Sequence, residues 1–181
     1  PATTDDVVFN STYNGNCTVG ATANCQSLKM TGYTGTFAGT SSLNITGTDP
    51  TDPGPYPNAL VISSACTWTY SGTMTLTATN FNPVSSFAGI YCNGKTLNGQ
   101  FVLNGGLTAY DWHFMDVFRT TSSINLTAGI LSAEDDVYCG TITTSNSNSR
   151  QFILRKDLYL TGSGQLITTT TTTNLTWTFG N

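Results

Sequence analysis

Two carboxylates in one aromatic segment are the residues best suited to chemistry. Asp111 and Asp116 lie in residues 108–121, TAYDWHFMDVFRTT. Hydrolysis of a glycosidic bond needs one carboxyl group as acid and another as base or nucleophile, held about 5–10 Å apart. The interpretation that we favour instead makes both of them turn or surface residues beside a buried aromatic strand. We predict that the segment binds a ligand rather than catalyses a reaction. The candidate ligand-binding residues are Tyr110, Asp111, Trp112, His113 and Asp116.

Other groups that could bind a metal or act as a nucleophile are sparse. The acidic run at residues 134–136 could bind Ca²⁺ with loop carbonyls, although we prefer a solvated acidic turn. His113 is the only histidine, and the five cysteines show no Cys-x-x-Cys spacing, so no zinc site is expected. Cys17 and Cys25 could close a small loop in an oxidised chain, or the cysteines could be buried apolar residues. We therefore predict no catalytic residue, no metal and no cofactor.

Composition points to an all-β chain and excludes some partners. Charged residues make up only 9% of the 181 residues, and the chain contains 35 Thr, a β-branched residue that favours strands. Six basic residues against ten acidic ones cannot form the positive surface that nucleic-acid binding needs. No apolar run approaches the ~20 residues of a membrane span, so we predict no membrane insertion. The sequence starts at Pro1 with no Met and no signal-peptide pattern, so we expect a processed product, an excised domain or a part of a longer chain.

Closely spaced turns indicate how the strands are connected. Asn-Gly steps occur at residues 93–94, 98–99 and 104–105, and Asn-Gly tolerates the positive φ of tight turns. The segments between them are short for free-standing hairpins and suit the corners of a β-solenoid. A β-sandwich or β-meander with short strands is the alternative. Apolar strand centres recur at a step near 16–17 residues wherever no insertion intervenes, which favours stacked coils.

The predicted solenoid has a body, one terminal unit and two excursions. Residues 1–24 form an N-terminal cap or a first coil, and residues 25–181 form the body. Residues 48–58 carry four prolines and are predicted as a loop leaving the body, as are residues 108–119. The predicted core positions are Leu43, Ile45, Leu76, Phe101, Leu103, Leu126, Ile142, Ile153, Leu158 and Leu160.

The ordered series of strand and turn segments resembles a known group of proteins. NCQSLKMTGYTGTFAGTSSLNITG, WTYSGTMTLTATN, CNGKTLNGQFVLNG, INLTAGIL, CGTITTSNSNSRQFIL and LYLTGSGQLITTTTTTNLTWTF are similar, in that order, to Thr/Gly-rich β-solenoid modules of tailed-phage and uncultured-virus proteins. Those modules belong to virion surface or tail-fibre proteins. The resemblance covers roughly residues 24–179 and has no catalytic residues to transfer. It implies a place at the virion surface.

The function predicted from the sequence is therefore that of a non-enzymatic structural or receptor-facing virion protein, such as a fibre, spike or capsid decoration. Its expected partners are itself, other virion proteins and a host surface glycan. One alternative is a glycan-cleaving tailspike domain centred on Asp111 and Asp116. Another is a secreted, extracellular adhesin or filament subunit of a microbe. The five glycosylation sequons do not decide between these, because the Asn, Ser and Thr content gives that number by chance.

Overall fold

The computed structural model describes residues 1–52, 56–80, 86–106, 110–144, 146–169 and 171–180, and within these ranges every regular element is a strand. All strand pairings among them are parallel. The chain is a β-solenoid of about 7 turns, as predicted. A meander is excluded because its neighbouring strands would pair antiparallel.

The strands are short, as expected for a chain that turns a corner every few residues. Their bounds are β1 Asp6–Asn10, β2 Cys17–Val19, β3 Ala23–Cys25, β4 Ser27–Thr31, β5 Thr36–Gly39, β6 Leu43–Gly47, β7 Asn58–Val61, β8 Thr67–Trp68, β9 Met74–Asn80, β10 Phe87–Tyr91, β11 Thr96–Leu97, β12 Phe101–Asn104, β13 Asp111–Phe114, β14 Phe118–Thr120, β15 Ser123–Ala133, β16 Val137–Cys139, β17 Thr141–Thr143, β18 Arg150–Leu154, β19 Leu158–Leu160, β20 Ile167–Thr168 and β21 Leu175–Phe179.

Each coil contributes one strand to each of three faces. Face 1 stacks β1, β4, β7, β10, β13, the end of β15, β18 and β21, and face 2 stacks β3, β6, β9, β12, the start of β15, β17 and β20. Face 3 consists of two ladders, β2-β5-β8 and β11-β14-β16-β19. β15 turns from face 2 to face 1 at Gly129, whose φ of 92° and contact with the Tyr110 carbonyl leave no room for a side chain.

The three Asn-Gly steps lie at corners between faces. The first separates β10 from β11, the second separates β11 from β12, and the third ends β12 before the chain crosses to β13. Asn93 and Gly94 take positive φ values of 49° and 77°, whereas the other two Asn-Gly steps turn without positive φ. The prediction that this stretch consists of solenoid corners is confirmed.

Coil lengths differ from the predicted step. On face 2 the paired positions Ile124 and Ile142 are 18 residues apart, whereas Leu43 and Met74 are 31 apart. The step of 16–17 residues was wrong because the coils differ in length and because the predicted series mixes centres from different faces. Leu43 belongs to face 2, for example, and Leu60, the next centre of the predicted series, belongs to face 1.

Inward-facing side chains of the three faces form one apolar column. Seven of the predicted core positions are buried: Leu43, Ile45, Leu76, Phe101, Leu103, Leu126 and Ile142. Ile153 was predicted wrongly, because Phe152 and Leu154 take the inward positions of β18 and leave Ile153 half-buried on the outer side. Leu158 and Leu160 pack against the core but remain half-buried, because they lie in the last strand of face 3.

The predicted excursion at residues 108–119 is not a loop in its described part. Residues 111–114 form β13 in the middle of face 1, paired on both sides. Trp112 and Phe118 are fully buried in the column. Residues 107–109 lie outside the described residues. Tertiary packing thus uses the aromatic run as a buried strand. Asp116 lies at a turn as expected, whereas Asp111 is a buried residue of β13 rather than a turn or surface residue.

The first excursion and the terminal unit also contact the body. Residues 53–55 lie outside the described part of the first excursion, but Thr48 and Asp49 are buried, and Asp49 pairs with Lys29 at 3.3 Å. Residues 6–25 contain β1, β2 and β3, so the N-terminal segment forms a first coil. The two ends of the stack thus consist of coils.

The core assignment predicts a sharp contrast within β15. Leu126→Asp puts a carboxylate at a fully buried position of the column, whereas Asn125→Asp adds a similar charge at the neighbouring outward position. We expect Leu126→Asp to lose more than about 4 kcal/mol of unfolding free energy and Asn125→Asp to change it by less than about 1 kcal/mol. Urea unfolding followed by circular dichroism measures both. A cooperatively folded Leu126→Asp variant with wild-type stability contradicts the column.

A buried arginine holds together two corners near the C-terminal end. Arg150 is 1% exposed, and its guanidinium donates to the carbonyl oxygens of Asn148, Thr144 and Thr173, the last at 2.7 Å. Burial lowers the pKa of Arg150. The Arg150 guanidinium is therefore bound by backbone carbonyl oxygens of two successive coils rather than by a carboxylate.

Removing this guanidinium leaves several carbonyls without a donor. We expect Arg150→Met to lower the free energy of unfolding by about 2–4 kcal/mol, because each buried group left without a hydrogen-bond partner costs about 1–3 kcal/mol. Arg155→Met is the matched control, because the Arg155 side chain is 42% exposed and its single ion pair contributes at most about 1 kcal/mol. Equal losses in the two variants, measured by thermal unfolding, contradict this role of Arg150.

Candidate functional site

The predicted ligand-binding residues lie on and beside β13, and the structure separates them. Asp111 and His113 lie on the outer side of face 1, and Trp112 points into the column. Tyr110 precedes the strand and is half-buried, and Asp116 follows it at the corner towards face 3. The five residues therefore do not line a common cleft.

Asp111 is the centre of a polar network on the outer side of face 1. Its Oδ2 accepts a hydrogen bond from Ser132 Oγ at 3.0 Å and lies 2.9 Å from His113 Nε2. The other ring nitrogen, His113 Nδ1, is 3.3 Å from Glu134 Oε1 but has no hydrogen-bond geometry with it. Glu134 Oε2 in turn lies 3.0 Å from Arg155 Nε. The network links three successive coils.

Aromatic rings cover this network. The Tyr56 ring centroid is 4.5 Å from that of His113, and the Phe87 centroid is 5.4 Å away. His113 is 3% exposed and Ser132 is 1% exposed, so neither side chain is open to a substrate. Tyr56, which comes just before β7, therefore packs on the outer side of face 1.

The network does not have the arrangement of a nucleophile with its base. An activated serine must give its proton to a histidine that a third group orients. Here Ser132 donates to Oδ2 of Asp111, and His113 contacts the same oxygen. The carboxylate oxygen therefore lies between the serine and the histidine. The arrangement links two coils through Asp111 and does not place His113 as a base for Ser132.

Asp116 has a different set of partners from Asp111. Its two carboxylate oxygens accept hydrogen bonds from the backbone N–H groups of Cys92, at 2.9 Å, and of Asn93. It therefore closes the Asn93-Gly94 turn of the preceding coil. Because Asp111 is tied to face 1 and Asp116 to this turn, the two carboxylates serve separate structural roles.

The acidic run at residues 134–136 is paired with the next coil. Glu134 contacts Arg155, and Asp135 Oδ1 lies 2.9 Å from Lys156 Nζ. The hydrogen bond from Lys156 lowers the pKa of Asp135, and the same bond raises the pKa of Lys156. Two carboxylates that a Ca²⁺ ion could use are thus bound to cations of the protein itself.

A row of stacked side chains, the tyrosine ladder, runs along the outer side of face 3. It consists of Arg119, Tyr138 and Tyr159, one from each of β14, β16 and β19, and β-sheet pairing places them side by side. The Arg119 Cζ atom lies 4.0 Å from the centroid of the Tyr138 ring. Tyr138 and Tyr159 stack at 4.3 Å with an interplanar angle of 7°. Tyr159 remains 41% exposed.

Charged residues cluster beside this ladder. Seven of the chain's 16 charged residues lie on the ladder or at the adjoining corner: Arg119, Glu134, Asp135, Asp136, Arg155, Lys156 and Asp157. We call these residues together with Tyr138 and Tyr159 the tyrosine–charge surface. In a chain with 9% charged residues, it is the place where charge and exposed aromatic surface coincide.

Sequence reasoning missed the tyrosine ladder, although a signal was present. Asp136-Val137-Tyr138 and Asp157-Leu158-Tyr159 repeat the pattern Asp-apolar-Tyr at a distance of 21 residues. In both copies the tyrosine hydroxyl points to the aspartate two residues earlier, at 3.5 Å in the first copy and 3.1 Å in the second. The repeat length equals one coil, which places both tyrosines on the same face.

An apolar cavity of about 270 Å³ opens at the N-terminal end of the column. Its lining comes from the first two coils and includes Val7, Phe9, Cys25, Phe37 and Leu43. Cys17, which also lines the cavity, and Cys25 are free thiols, so the loop-closing pair considered from the sequence is not formed. Burial raises the pKa of Cys25 to about 12, which keeps this thiol protonated and unreactive at neutral pH.

Comparison of the chain with protein-family models, with curated proteins and with solved structures gave no match. The described ranges also contain no helix that is long and apolar enough to cross a membrane. What the protein does must therefore be argued from the surfaces described above.

The tyrosine ladder predicts an unusual titration. The hydrogen bond to Asp157 raises the pKa of Tyr159 to about 12, so its phenol stays protonated in the folded protein as the pH passes 10. The stabilisation from this bond is present below pH 10 and is lost as the pH rises through about 12. Difference absorbance at 295 nm between wild type and Tyr159→Phe isolates this group. Asp157→Asn should return its pKa towards 10, and an unchanged titration contradicts the assignment.

Proposed function

We propose that the protein is a non-enzymatic structural component of a virion surface, such as a fibre, spike or capsid decoration, and that its rigid outer faces contact a receptor. The resemblance of the ordered strand and turn segments to virion β-solenoid modules supports the virion location. A single column from β1 to β21 supports the structural role, because side chains on such a stack are held in fixed register.

The contact surface for a host glycan is the tyrosine–charge surface. Sugars bind proteins through the faces and edges of aromatic rings together with polar groups that fix their orientation. Tyr159 offers an exposed ring, and Asp157 holds its hydroxyl at 3.1 Å. Stacking on Tyr138 fixes the ring plane before any ligand binds, which reduces the ordering cost of binding.

The observation that carries this proposal is the coincidence of rigid aromatics and charge on face 3. On face 2 the outward positions hold mainly uncharged Thr, Asn and Ser, as on β9 and β17. The five residues predicted around β13 do not provide such a surface, because Asp111, Trp112 and His113 are buried. The proposed contact site therefore lies on face 3, whereas the segment singled out from the sequence lies on face 1.

A binding assay on bacterial surface polysaccharides tests the glycan contact. We expect wild type to bind at least one member of a panel by isothermal titration, and Tyr159→Ala to bind it about tenfold more weakly, a loss of about 1.4 kcal/mol. Tyr13→Ala is the control, because Tyr13 is 72% exposed and lies far from the ladder in sequence and in the stack. Binding equal to wild type in Tyr159→Ala contradicts the proposed surface.

The same panel tests the non-enzymatic role. We expect no new reducing ends after prolonged incubation with wild type. Cleavage that disappears in Asp116→Asn would establish the glycan-cleaving alternative. Gold-labelled antibodies to the chain should decorate the outside of purified virions, and labelling confined to cell surfaces would contradict the virion location.

A further inference from the structure

The chain contains four Asn-Gly steps, and the structure treats them differently. Besides the steps at residues 93–94, 98–99 and 104–105, a fourth lies at residues 14–15. All four asparagines are exposed. An Asn-Gly step can rearrange covalently, because the glycine has no side chain to shield its backbone nitrogen from the amide carbon of the asparagine. In a folded chain the reaction depends on what holds these two groups.

Hydrogen bonds hold the asparagine side chain at two of the steps. Asn14 Nδ2 donates to the carbonyl of Ser11 at 2.6 Å, and Asn14 Oδ1 accepts from the Thr34 N–H at 3.0 Å. Asn93 Nδ2 donates to the carbonyl of Ile62 at 2.8 Å. Both side-chain amides must leave these partners before a backbone nitrogen can reach their carbon atoms.

At the step of residues 104–105, the attacking nitrogen itself is held. The Gly105 N–H donates to the carbonyl of Ala128 at 2.9 Å, and Asn104 Oδ1 accepts from the Gly106 N–H at 3.2 Å. Gly105 is also buried. This step, like the two above, therefore reacts only after the structure opens locally.

The step of residues 98–99 lacks both kinds of restraint. Among the residues that the structure describes, neither the Asn98 side chain nor the Gly99 N–H has a hydrogen-bond partner. The bonds that hold the step go to its carbonyl groups, which accept from Thr121 Oγ1 at 3.5 Å and from Thr120 Oγ1 at 3.1 Å. The side-chain amide and the backbone nitrogen are thus free to approach each other.

We propose that Asn98 is the site of spontaneous deamidation in this protein. Water or hydroxide takes the proton of the Gly99 N–H, and the nitrogen forms a bond to Asn98 Cγ. The Cγ–Nδ2 bond breaks, ammonia leaves and a cyclic imide remains. Water then opens the imide at either carbonyl, which gives an aspartyl product or an isoaspartyl product whose main chain passes through Cβ. The net change replaces ammonia by water, and it is independent of the glycan contact.

Packing against the preceding coil keeps the reactive glycine in place. A Cβ atom at position 99 would overlap the carbonyl oxygen of Gly72, so this corner accepts no other residue than glycine. The exposed side chain of Asn98 makes no comparable contribution, because it bonds to no other described residue. The fold thus requires Gly99 and tolerates a change of Asn98.

Both products change the corner between β11 and β12. The aspartyl product adds a negative charge to a chain whose net charge is −4. The isoaspartyl product lengthens the main chain between Leu97 and Gly99. Their carbonyls accept from Thr121 N–H at 2.9 Å and from Thr120 Oγ1 on the next coil. A longer main chain must displace at least one of these bonds.

Peptide mapping of the aged full chain tests the proposal. Wild type is incubated at mildly alkaline pH, digested at mildly acidic pH and analysed by mass spectrometry. We expect the peptide containing residue 98 to exchange ammonia for water at least about tenfold faster than the peptides containing the other three steps, because those react through local opening. Asn98→Ser should remove the fast reaction and keep the thermal unfolding of wild type. Asn104→Ser is the matched control and should leave the fast reaction unchanged.

Incubation in urea separates the effect of the fold from that of the local sequence. In the unfolded chain all four steps lose their partners, so we expect their rates to converge. Equal rates at the four steps of the folded chain, a faster reaction at another step, or a residue 98 that stays intact in the folded chain while it reacts in urea would overturn the proposal.

Discussion

In-register stacking of parallel strands is the constraint on which the rest of the structure depends. Because each coil lies directly over the next, every inward position must fit the same position one coil away. Rows such as Ile90, Phe114 and Ala133 meet this demand with apolar side chains that alternate in size. Aromatic stacking between coils strengthens it, as between Phe152 and Trp177, whose ring centroids are 4.1 Å apart. The column is continuous although three pairings shift register, at Gly89/Ile90, Leu103/Asn104 and Ile45/Gly47.

The same constraint explains where the few charges lie. An outward charge has neighbours about 4.8 Å away in the adjoining coils, so it is stable when a neighbouring coil supplies the opposite sign. Glu134 with Arg155 and Asp135 with Lys156 follow this rule. Most outward positions avoid the problem with Thr, Asn and Ser. Asp116 and Arg150 are exceptions that bind backbone groups at corners and so fix the path of the chain.

The sequence predicted the architecture well because corners and strands have local signals. Asn93-Gly94 and the alternation in β9 each depend on a few adjacent residues. The coil length was predicted wrongly because the recurring apolar strand centres come from all three faces. The spacing between two such centres is therefore not the length of a coil. The aromatic run around Trp112 is predicted as an excursion from the sequence, but it forms β13, and Oδ2 of Asp111 contacts Ser132 of the next coil and His113 on the outer side of face 1. Such long-range partners cannot be read from local spacing.

The tyrosine ladder was predictable in principle, since the Asp-apolar-Tyr repeat returns after one coil. The central claim remains that residues 111–133 form the middle of a continuous stack whose ends are its least stable parts. Hydrogen–deuterium exchange of the wild-type chain tests it most directly. The account predicts slowest exchange in β12, β13 and β15 and progressively faster exchange towards β1 and β21. Fast exchange in β13, or equal protection of the end strands and the middle strands, would contradict it.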